Sequence, residues 1–255
     1  MTGASAGIGE ALARRLARDK RSLVLVARRA DRLEVLGREL TAQHGVQVHV
    51  VAQDLAQTGA AERVLAEVER RGLTVDWLIN NAGFGTYGRF AELPVARELE
   101  EIRLNVETLV EFTGRCVPGM VARRRGAIIN IASVGAFAPS PYMATYAATK
   151  AFVLSFTEAL AYEVRDAGVH VLCVCPGFTR TEFQDHAHVD TSSVPSMAWM
   201  TADEVADETV RAVGRKTVLV NGVMNSLTVG MTKLVPRGLL TRSVGAMMGA
   251  RGGLK

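Results

Sequence analysis

Tyr146 and Lys150 are the residues whose types and spacing most directly suggest chemistry. They lie four positions apart in a helical pattern over 145–167, so their side chains should share one face of the helix. An isolated tyrosine has a pKa near ~10, and a nearby ammonium group lowers that pKa toward the range of proton transfer at neutral pH. Ser133 comes just after an apolar strand pattern, where its hydroxyl could hold an oxygen atom beside Tyr146. The Tyr–Lys pair alone occurs by chance on many helices, but the chain also carries Asn105 in a long helical pattern and a glycine-rich opening.

Three glycines, Gly3, Gly7 and Gly9, lie just before a helical pattern over 8–20. Glycines at such a place permit a tight turn, a close backbone approach to a pyrophosphate, and close packing of a helix whose N-terminus attracts anions. Glycine clusters also form plain turns, so the motif is only moderately specific by itself. The glycines therefore predict a phosphate site for a dinucleotide, and the pattern of surrounding strands and helices must provide the further evidence for it.

Arg28 and Arg29 follow a strand pattern over 22–27. In dinucleotide-binding folds an acidic residue at this strand end binds the ribose 2′-hydroxyl of NAD, whereas arginine accommodates the 2′-phosphate of NADP. The first acidic residue here is Asp31, inside the start of the next helical pattern. Guanidinium groups have the charge and fork geometry that phosphate requires, so we predict NADP(H) as the cofactor. The alternative is that both arginines are solvated surface residues.

Short apolar stretches alternate with helical patterns along most of the chain. The strand patterns are rich in Val, Ile and Leu on both faces, which is typical of a parallel sheet covered on both sides. They span 22–27, 46–51, 75–79, 127–131, 169–174 and 217–220, and the helical patterns span 8–20, 30–43, 58–71, 95–122, 145–167 and 202–214. This alternation predicts an α/β fold with a doubly wound, Rossmann-like parallel sheet and right-handed crossovers in a single domain. We assign 1–222 to dinucleotide binding and catalysis, and 223–255 to a basic C-terminal tail that extends the same domain.

Five motifs resemble those of the short-chain dehydrogenase/reductase family, in that family's order and spacing. They are Thr2–Gly9 (TGASAGIG), Asn80–Gly83 (NNAG), Ser133, the Tyr146–Lys150 pair, and Pro176–Gly177. The resemblance covers nearly the whole chain and implies an oxidoreductase with a nicotinamide cofactor. In the family a central strand precedes the glycine motif, whereas here one residue precedes Thr2, so the first central strand is absent from the sequence. We therefore expect two neighbouring strands with unpaired ladders, and a natural start upstream that supplies a strand of ~5–6 residues.

The resemblance also implies roles for individual residues. Tyr146 would be the general acid and base, Lys150 would lower its pKa and hold the nicotinamide ribose, and Ser133 would position the substrate oxygen. Asn105 would anchor a water molecule that leads protons from Lys150 to solvent. Together with Tyr146 and Lys150, the residues implied to contact the cofactor are Gly3, Ser5, Gly7, Ile8, Gly9, Arg28, Arg29, Asp54, Leu55, Asn81, Ala82, Gly83, Pro176, Gly177, Thr179 and Thr181.

The irregular stretch 178–200 is the best candidate for a substrate lid, because loops of this kind often cover active sites. Several apolar side chains in this stretch would give the lid an apolar surface, and three others could add an apolar floor, which favours a bulky, apolar ketone or alcohol. The lid residues are Phe183, Val189, Met197, Trp199 and Met200, and the floor residues are Phe84, Phe137 and Met143. His186 and His188 are too few to form a metal site without further ligands nearby, and we expect no metal.

The C-terminal tail combines positive charge with a helical apolar stripe. From Thr209 onward the chain has eight basic residues and no acidic one. Leu240, Val244, Met247 and Met248 would form one stripe if 239–248 is helical. We expect this stripe to pack on the chain's own core or on a partner subunit in a homodimer or homotetramer. Docking on an anionic membrane, where each exposed basic side chain adds ~1 kcal/mol, is the less favoured alternative.

Composition excludes several other classes of protein. Of 255 residues, 48% are hydrophobic and 22% charged, which is ordinary for a globular chain. Three cysteines are too few for a disulfide framework, and neither a membrane span nor a signal peptide is evident, so we expect a cytoplasmic protein. The tail lacks the interleaved aromatic residues of a nucleic-acid-binding surface. The sequence thus favours an NADP(H)-dependent carbonyl reductase or alcohol dehydrogenase, and the alternative is a dinucleotide-binding regulatory protein with weak catalysis.

Overall fold

The fold alternates strands and helices along the chain, as the sequence pattern predicts. The computed structural model describes residues 1–187, 190–192, 194–232 and 234–251. The strands are β1 (Leu23–Ala27), β2 (Val48–Ala52), β3 (Trp77–Asn80), β4 (Gly126–Ile131), β5 (Val169–Cys175), β6 (Thr179–Arg180), β7 (Met200–Thr201) and β8 (Val218–Val220). The α-helices are α1 (Gly7–Arg18), α2 (Ala30–His44), α3 (Ala60–Arg70), α4 (Val95–Ile102), α5 (Thr108–Ala122), α6 (Ala144–Glu163), α7 (Phe183–His186), α8 (Ala202–Ala212), α9 (Val223–Thr232) and α10 (Arg237–Arg251).

All strand pairs that the structure describes are parallel. β1 pairs with β2, and β3, β4, β5 and β8 form a second group in that order. β6 and β7 make a short separate pair beside the carboxyl end of β5. Residues Val169–Cys175 and Gly126–Ile131 are almost entirely buried, as expected for central strands covered by helices on both faces.

Residues Met1 to Ala4 lie between β1 and β3 and join the two groups of strands. Thr2 N donates to Ile79 O at 2.9 Å, and Val26 N donates to Met1 O at 3.0 Å. Thr2 also forms a parallel bridge with Val26. The expectation of two unpaired strand ladders at this position is therefore wrong in part, because Met1, Thr2 and Ala4 supply hydrogen-bond partners to the neighbouring strands.

Two helical layers cover the sheet and confirm the doubly wound arrangement. On one face, α1, α2 and α8 bury leucines such as Leu12 and Leu33 against the sheet. On the other face, α3, α5 and α6 contribute Val64, Phe112 and Leu160 to a second buried cluster. Since each face carries its own apolar core, the strand ends between them are held rigidly, and these ends form the site.

Two regions differ from the sequence-based pattern. The predicted helix over 95–122 is interrupted by a π-helical turn, Arg103–Glu107, between α4 and α5. The tail contains α9 as well as α10, and only the stripe within α10 was expected. None of the helices in the described part of the chain is both long and apolar enough to cross a membrane.

Candidate active site

A large cleft lies at the carboxyl ends of the parallel strands, where open α/β sheets bind ligands. Its cavity volume is about 690 Å³. The cleft is lined by every residue that the sequence assigned to the cofactor except Gly9, and by Ser133. Asn105 does not line it, so the structure brings together three of the four proposed catalytic residues at the cleft surface.

The glycine motif forms the wall of the cleft at the N-terminus of α1. Gly3 and Gly7 have φ values of +65° and +57°, which side chains with a Cβ atom rarely adopt. A Cβ atom on Gly9 would lie 2.1 Å from the carbonyl oxygen of Gly3. Gly9 therefore lies beneath the cleft instead of lining it, and it allows α1 to approach the loop closely.

The adjacent wall carries donors suited to phosphate. Arg29 donates from Nε and Nη2 to Ser5 Oγ at 3.3 and 3.2 Å, and from Nη1 to Glu182 at 2.9 Å. Arg28 also lines the cleft but is exposed, and it makes none of the contacts found for Arg29. The first N–H groups of α1 have no partners within the helix and add positive character. This donor set fits the phosphates of NADP(H).

The segment after β3 is fixed by hydrogen bonds to the glycine motif. Asn81 Nδ2 donates to the carbonyl oxygens of Thr2 and Gly3 at 3.0 and 3.1 Å. The hydroxyl of Thr2 accepts from the backbone N–H groups of Asn81 and Ala82, each at 3.0 Å. A Cβ atom at Gly83 would lie 2.9 Å from Asn105 Oδ1, so only glycine fits this close approach.

Tyr146, Ser133 and Lys150 meet where β4 ends and α6 begins. Ser133 caps the short 3₁₀ turn after β4, and its Oγ accepts from Gly135 N at 3.0 Å. The Ser133 side chain also interacts with the Tyr146 side chain and lowers its pKa in part. Lys150 is buried; its Nζ donates to Ile131 O at 2.9 Å and lies 5.7 Å from the centroid of the Tyr146 ring. The predicted sharing of one helix face is confirmed.

Burial is the largest influence on the pKa values of Tyr146 and Lys150. It raises the pKa of Tyr146 to about 12, with a further rise from the negative charge of Glu101 and a partial offset from the Ser133 hydrogen bond. Burial also lowers the pKa of Lys150 to about 8. The lowering of the Tyr146 pKa by Lys150 stays a prediction, because burial sets the direction of the shift here and the ammonium group of Lys150 donates to Ile131 O.

Asn105 lies in the π-helical turn and braces the loop behind the cleft. Its Nδ2 donates to Phe84 O at 2.9 Å and to Thr149 Oγ1 at 3.1 Å, and its Oδ1 accepts from Phe84 N at 3.2 Å. Such π turns often occur at functional sites. Both N–H groups of the amide are thus engaged by protein atoms, and Asn105 links the segment after β3 to α6.

Two buried carboxyl groups near the catalytic residues were missed by the sequence analysis. Glu101 accepts from the backbone N and the hydroxyl of Thr86 at 3.0 and 2.9 Å, and Glu98 accepts from the hydroxyl of Thr145. Burial raises the pKa of Glu101 to about 7, and the charge of Glu98 adds to the rise. The spacing of Glu98, Glu101 and Asn105 on one helical face was the available signal, but carboxylates on a helix rich in charge are usually solvated.

The substrate side of the cleft is built differently from the prediction. Phe183, Phe84 and Met143 line it as expected, and the Phe183 ring lies 5.4 Å from that of Tyr146. The remaining expected residues of the described part (Phe137, Met197, Trp199 and Met200) do not line the cleft, and Met197 is 76% exposed. Val189 and His188 lie outside the described residues. Residues that the sequence analysis did not place on this side include Phe178, Asn225, Thr228, Val229, Thr232, Leu240, Val244, Met247 and Met248.

The tail thus closes the cleft of its own chain. The stripe predicted in α10 faces the cleft, and the Tyr87 hydroxyl donates to the carbonyl oxygen of Met248. Within the described residues no group of three or more His, Cys, Asp or Glu side chains could hold a metal ion. The geometry is that of a dinucleotide-binding oxidoreductase site with apolar side chains on one side of the cleft.

Comparisons with known proteins agree with this geometry. A family model for short chain dehydrogenases matches residues 1–191. A 7beta-hydroxysteroid dehydrogenase from Collinsella aerofaciens is 31% identical over 88% of this chain and 85% of that protein. A solved 7beta-hydroxysteroid dehydrogenase structure superposes with a TM-score of 0.88 at 29% identity, covering 95% of this chain and 94% of the other. A short-chain dehydrogenase from Sphingobium yanoikuyae in complex with NADPH gives a TM-score of 0.80 at 32% identity, covering 92% and 94%.

The chain belongs to the short-chain dehydrogenase/reductase family. This confirms the resemblance seen in the sequence motifs, the Rossmann-like fold and the assignment as an oxidoreductase.

Proposed function

We propose that this NADP(H)-dependent oxidoreductase acts on bulky, apolar ketones and the corresponding alcohols. The observation that carries the proposal is one cleft in which Ser133 and Tyr146 separate two kinds of wall. One wall has glycines, Ser5 and Arg29 and suits a phosphorylated dinucleotide. The other has phenylalanine, methionine and leucine side chains and suits an apolar molecule.

Tyr146 is the proposed proton donor in ketone reduction. Since burial raises its pKa to about 12, the phenol is protonated at neutral pH and can donate to a developing alkoxide. Ser133, which lies beside Tyr146 in the cleft, holds the substrate oxygen in line with the phenol. Bound NADPH supplies the hydride. Lys150 places a positive charge behind Tyr146, which favours the phenolate left after proton donation.

Asn105 acts in this proposal by fixing the two elements that carry the reacting groups. Its bonds to Phe84 and Thr149 hold the loop after β3 against α6. The cofactor lies along the residues predicted from the sequence, with Arg29 on the 2′-phosphate, Asp54 and Leu55 at the adenine, and Pro176 and Gly177 on the nicotinamide side. Ile8, Arg28, Thr179 and Thr181 complete that set.

The tail is proposed as a part of the catalytic unit and not as a membrane anchor. Packing of Leu240, Val244 and Met248 over the cleft supports this assignment, so residues 223–255 extend the domain formed by 1–222. The three cysteines are buried and free, which suits the reducing cytoplasm. Exposed apolar side chains such as Phe152 and Tyr162 on α6 support a homodimer or homotetramer.

A panel of ketones and alcohols, assayed with NADPH and NADH at the nicotinamide absorbance, tests the function. We expect turnover with NADPH and a preference for large apolar ketones over small charged ones. A preference for small charged substrates would refute the substrate class. Cofactor binding without turnover of any compound would favour the weakly catalytic regulatory alternative.

A further inference from the structure

Glu182 places a negative charge against the arginines beside the cleft. Its carboxylate is bound by Arg29 at 2.9 Å and by Arg32 at 2.6 Å. Glu182 itself lines the cleft, in the segment that leads from β6 to α7. The contact therefore joins the segment between β6 and α7 to the N-cap and first turn of α2.

Arg29 is the residue that both anions would use. Its Nη1 already donates to Glu182, while Nε and Nη2 donate to Ser5. A phosphate group binds arginine with the same fork geometry as a carboxylate. The 2′-phosphate of NADP(H) therefore requires donors that Glu182 occupies, and two anions at one guanidinium repel each other.

We infer that Glu182 is a built-in competitor of the 2′-phosphate, which weakens the binding of NADP(H) but not that of NAD(H). The inference rests on the proposed placement of the 2′-phosphate at Arg29. Arg32 does not line the cleft, so it can retain Glu182 when Arg29 turns to the phosphate. NAD(H) lacks this phosphate and leaves the pair of Glu182 and Arg29 intact.

Two further properties of Glu182 set the size of the effect. The arginine contacts lower the pKa of Glu182 to about 2, so the competitor keeps its charge throughout the working pH range. The side chains of Glu182, Arg29 and Arg32 are 40%, 37% and 47% exposed. Because water and salt screen exposed pairs, we expect a change in affinity of roughly three- to tenfold.

The test is calorimetric titration of the full-length Glu182→Gln variant with NADPH, NADH, adenosine 2′,5′-bisphosphate and 5′-AMP. We expect the dissociation constants of NADPH and the bisphosphate to fall by roughly three- to tenfold, and those of NADH and 5′-AMP to stay within about twofold. Unchanged or weaker NADPH binding would overturn the inference. Tighter binding of all four compounds would show a change of the whole cleft and would also overturn it.

Glu67→Gln is the matched control. Glu67 also joins two arginines, Arg70 at 2.7 Å and Arg71 at 2.6 Å, and its pKa is lowered to about 2, but it does not line the cleft. This variant should bind all four compounds as the parent does.

In an Arg29→Gln background, Glu182→Gln should change NADPH affinity by less than about twofold. A roughly three- to tenfold change in that background would contradict competition at Arg29. Equal binding of NADPH and NADH by the parent would instead refute the proposed phosphate site itself.

Discussion

The two halves of the cleft are made in different ways. The proposed cofactor half consists of strand ends, glycines and the start of α1. The proposed substrate half consists of side chains from segments far apart in the chain, including Phe84, Met143, Phe183 and the tail helices. On the proposed function, local backbone geometry would determine where the cofactor binds, whereas long-range packing would determine which substrate fits.

Tyr146 lies at the junction of the halves, and its loss should have the largest effect. Tyr146→Phe keeps the ring that lies against Phe183 but removes the proposed proton donor. We expect turnover to fall by ~10²–10⁴-fold while NADPH affinity and the melting temperature stay close to those of the parent. Steady-state kinetics and calorimetric titration measure the two quantities separately, and turnover within about threefold of the parent would mean that Tyr146 is not the acid.

Gly9→Ala should damage the cofactor half selectively. Its Cβ atom would meet the Gly3 carbonyl oxygen at 2.1 Å and Asn81 Nδ2 at 2.5 Å, so the glycine loop must shift. We expect NADPH affinity to fall by more than about tenfold and stability to fall by ~1–3 kcal/mol. Binding within about twofold of the parent would show that the close approach at Gly9 is not required.

Gly114→Ala is the matched control for this variant. Gly114 is an exposed residue in α5, and no heavy atom lies within 4 Å of a Cβ atom built there. Alanine is a better helix former, so this variant should gain up to ~1 kcal/mol of stability and bind NADPH normally.

The two halves also differ in how far the sequence predicts them. The glycine loop, Ser133 and the Tyr146–Lys150 pair are short motifs whose geometry follows from a strand end or one helix face. Glu101 could not be assigned, because its burial depends on how α4 packs against α6. The tail stripe was recognised as apolar, but its position over the cleft depends on contacts between residues more than 100 positions apart, such as Tyr87 and Met248.

Arg28 and Arg29 should contribute unequally, although the sequence alone treats them alike. Arg29 is fixed by Ser5 and Glu182, whereas Arg28 is exposed. We expect Arg29→Gln to weaken NADPH binding by roughly tenfold and Arg28→Gln by roughly two- to threefold, with NADH binding little changed in both. A larger loss for Arg28→Gln would place the 2′-phosphate away from Arg29.

The burial of the Glu101 carboxyl group can be tested through the pH dependence of the protein's stability. Since its folded-state pKa is raised to about 7 from an ordinary value of 4.5, the folded state binds more protons than the unfolded state between these values. Its contribution to stability is therefore present below pH 4.5 and is lost as the pH rises toward 7. The free energy of unfolding of Glu101→Gln minus that of the parent, measured by urea unfolding, should be larger at pH 8 than at pH 5. The expected change is on the order of 2 kcal/mol. A difference that does not change with pH would contradict the raised pKa.

The most direct test of the division between the halves is a change confined to the tail. Leu240→Ala combined with Met247→Ala removes two cleft-lining side chains of α10, and Leu239→Ala is the control because Leu239 is 55% exposed and does not line the cleft. We predict that the double variant raises the KM for a bulky apolar ketone by roughly tenfold or more, leaves the Kd for NADPH within about twofold, and differs clearly from the control. An unchanged KM, or a loss of NADPH affinity as large as the change in KM, would contradict the account.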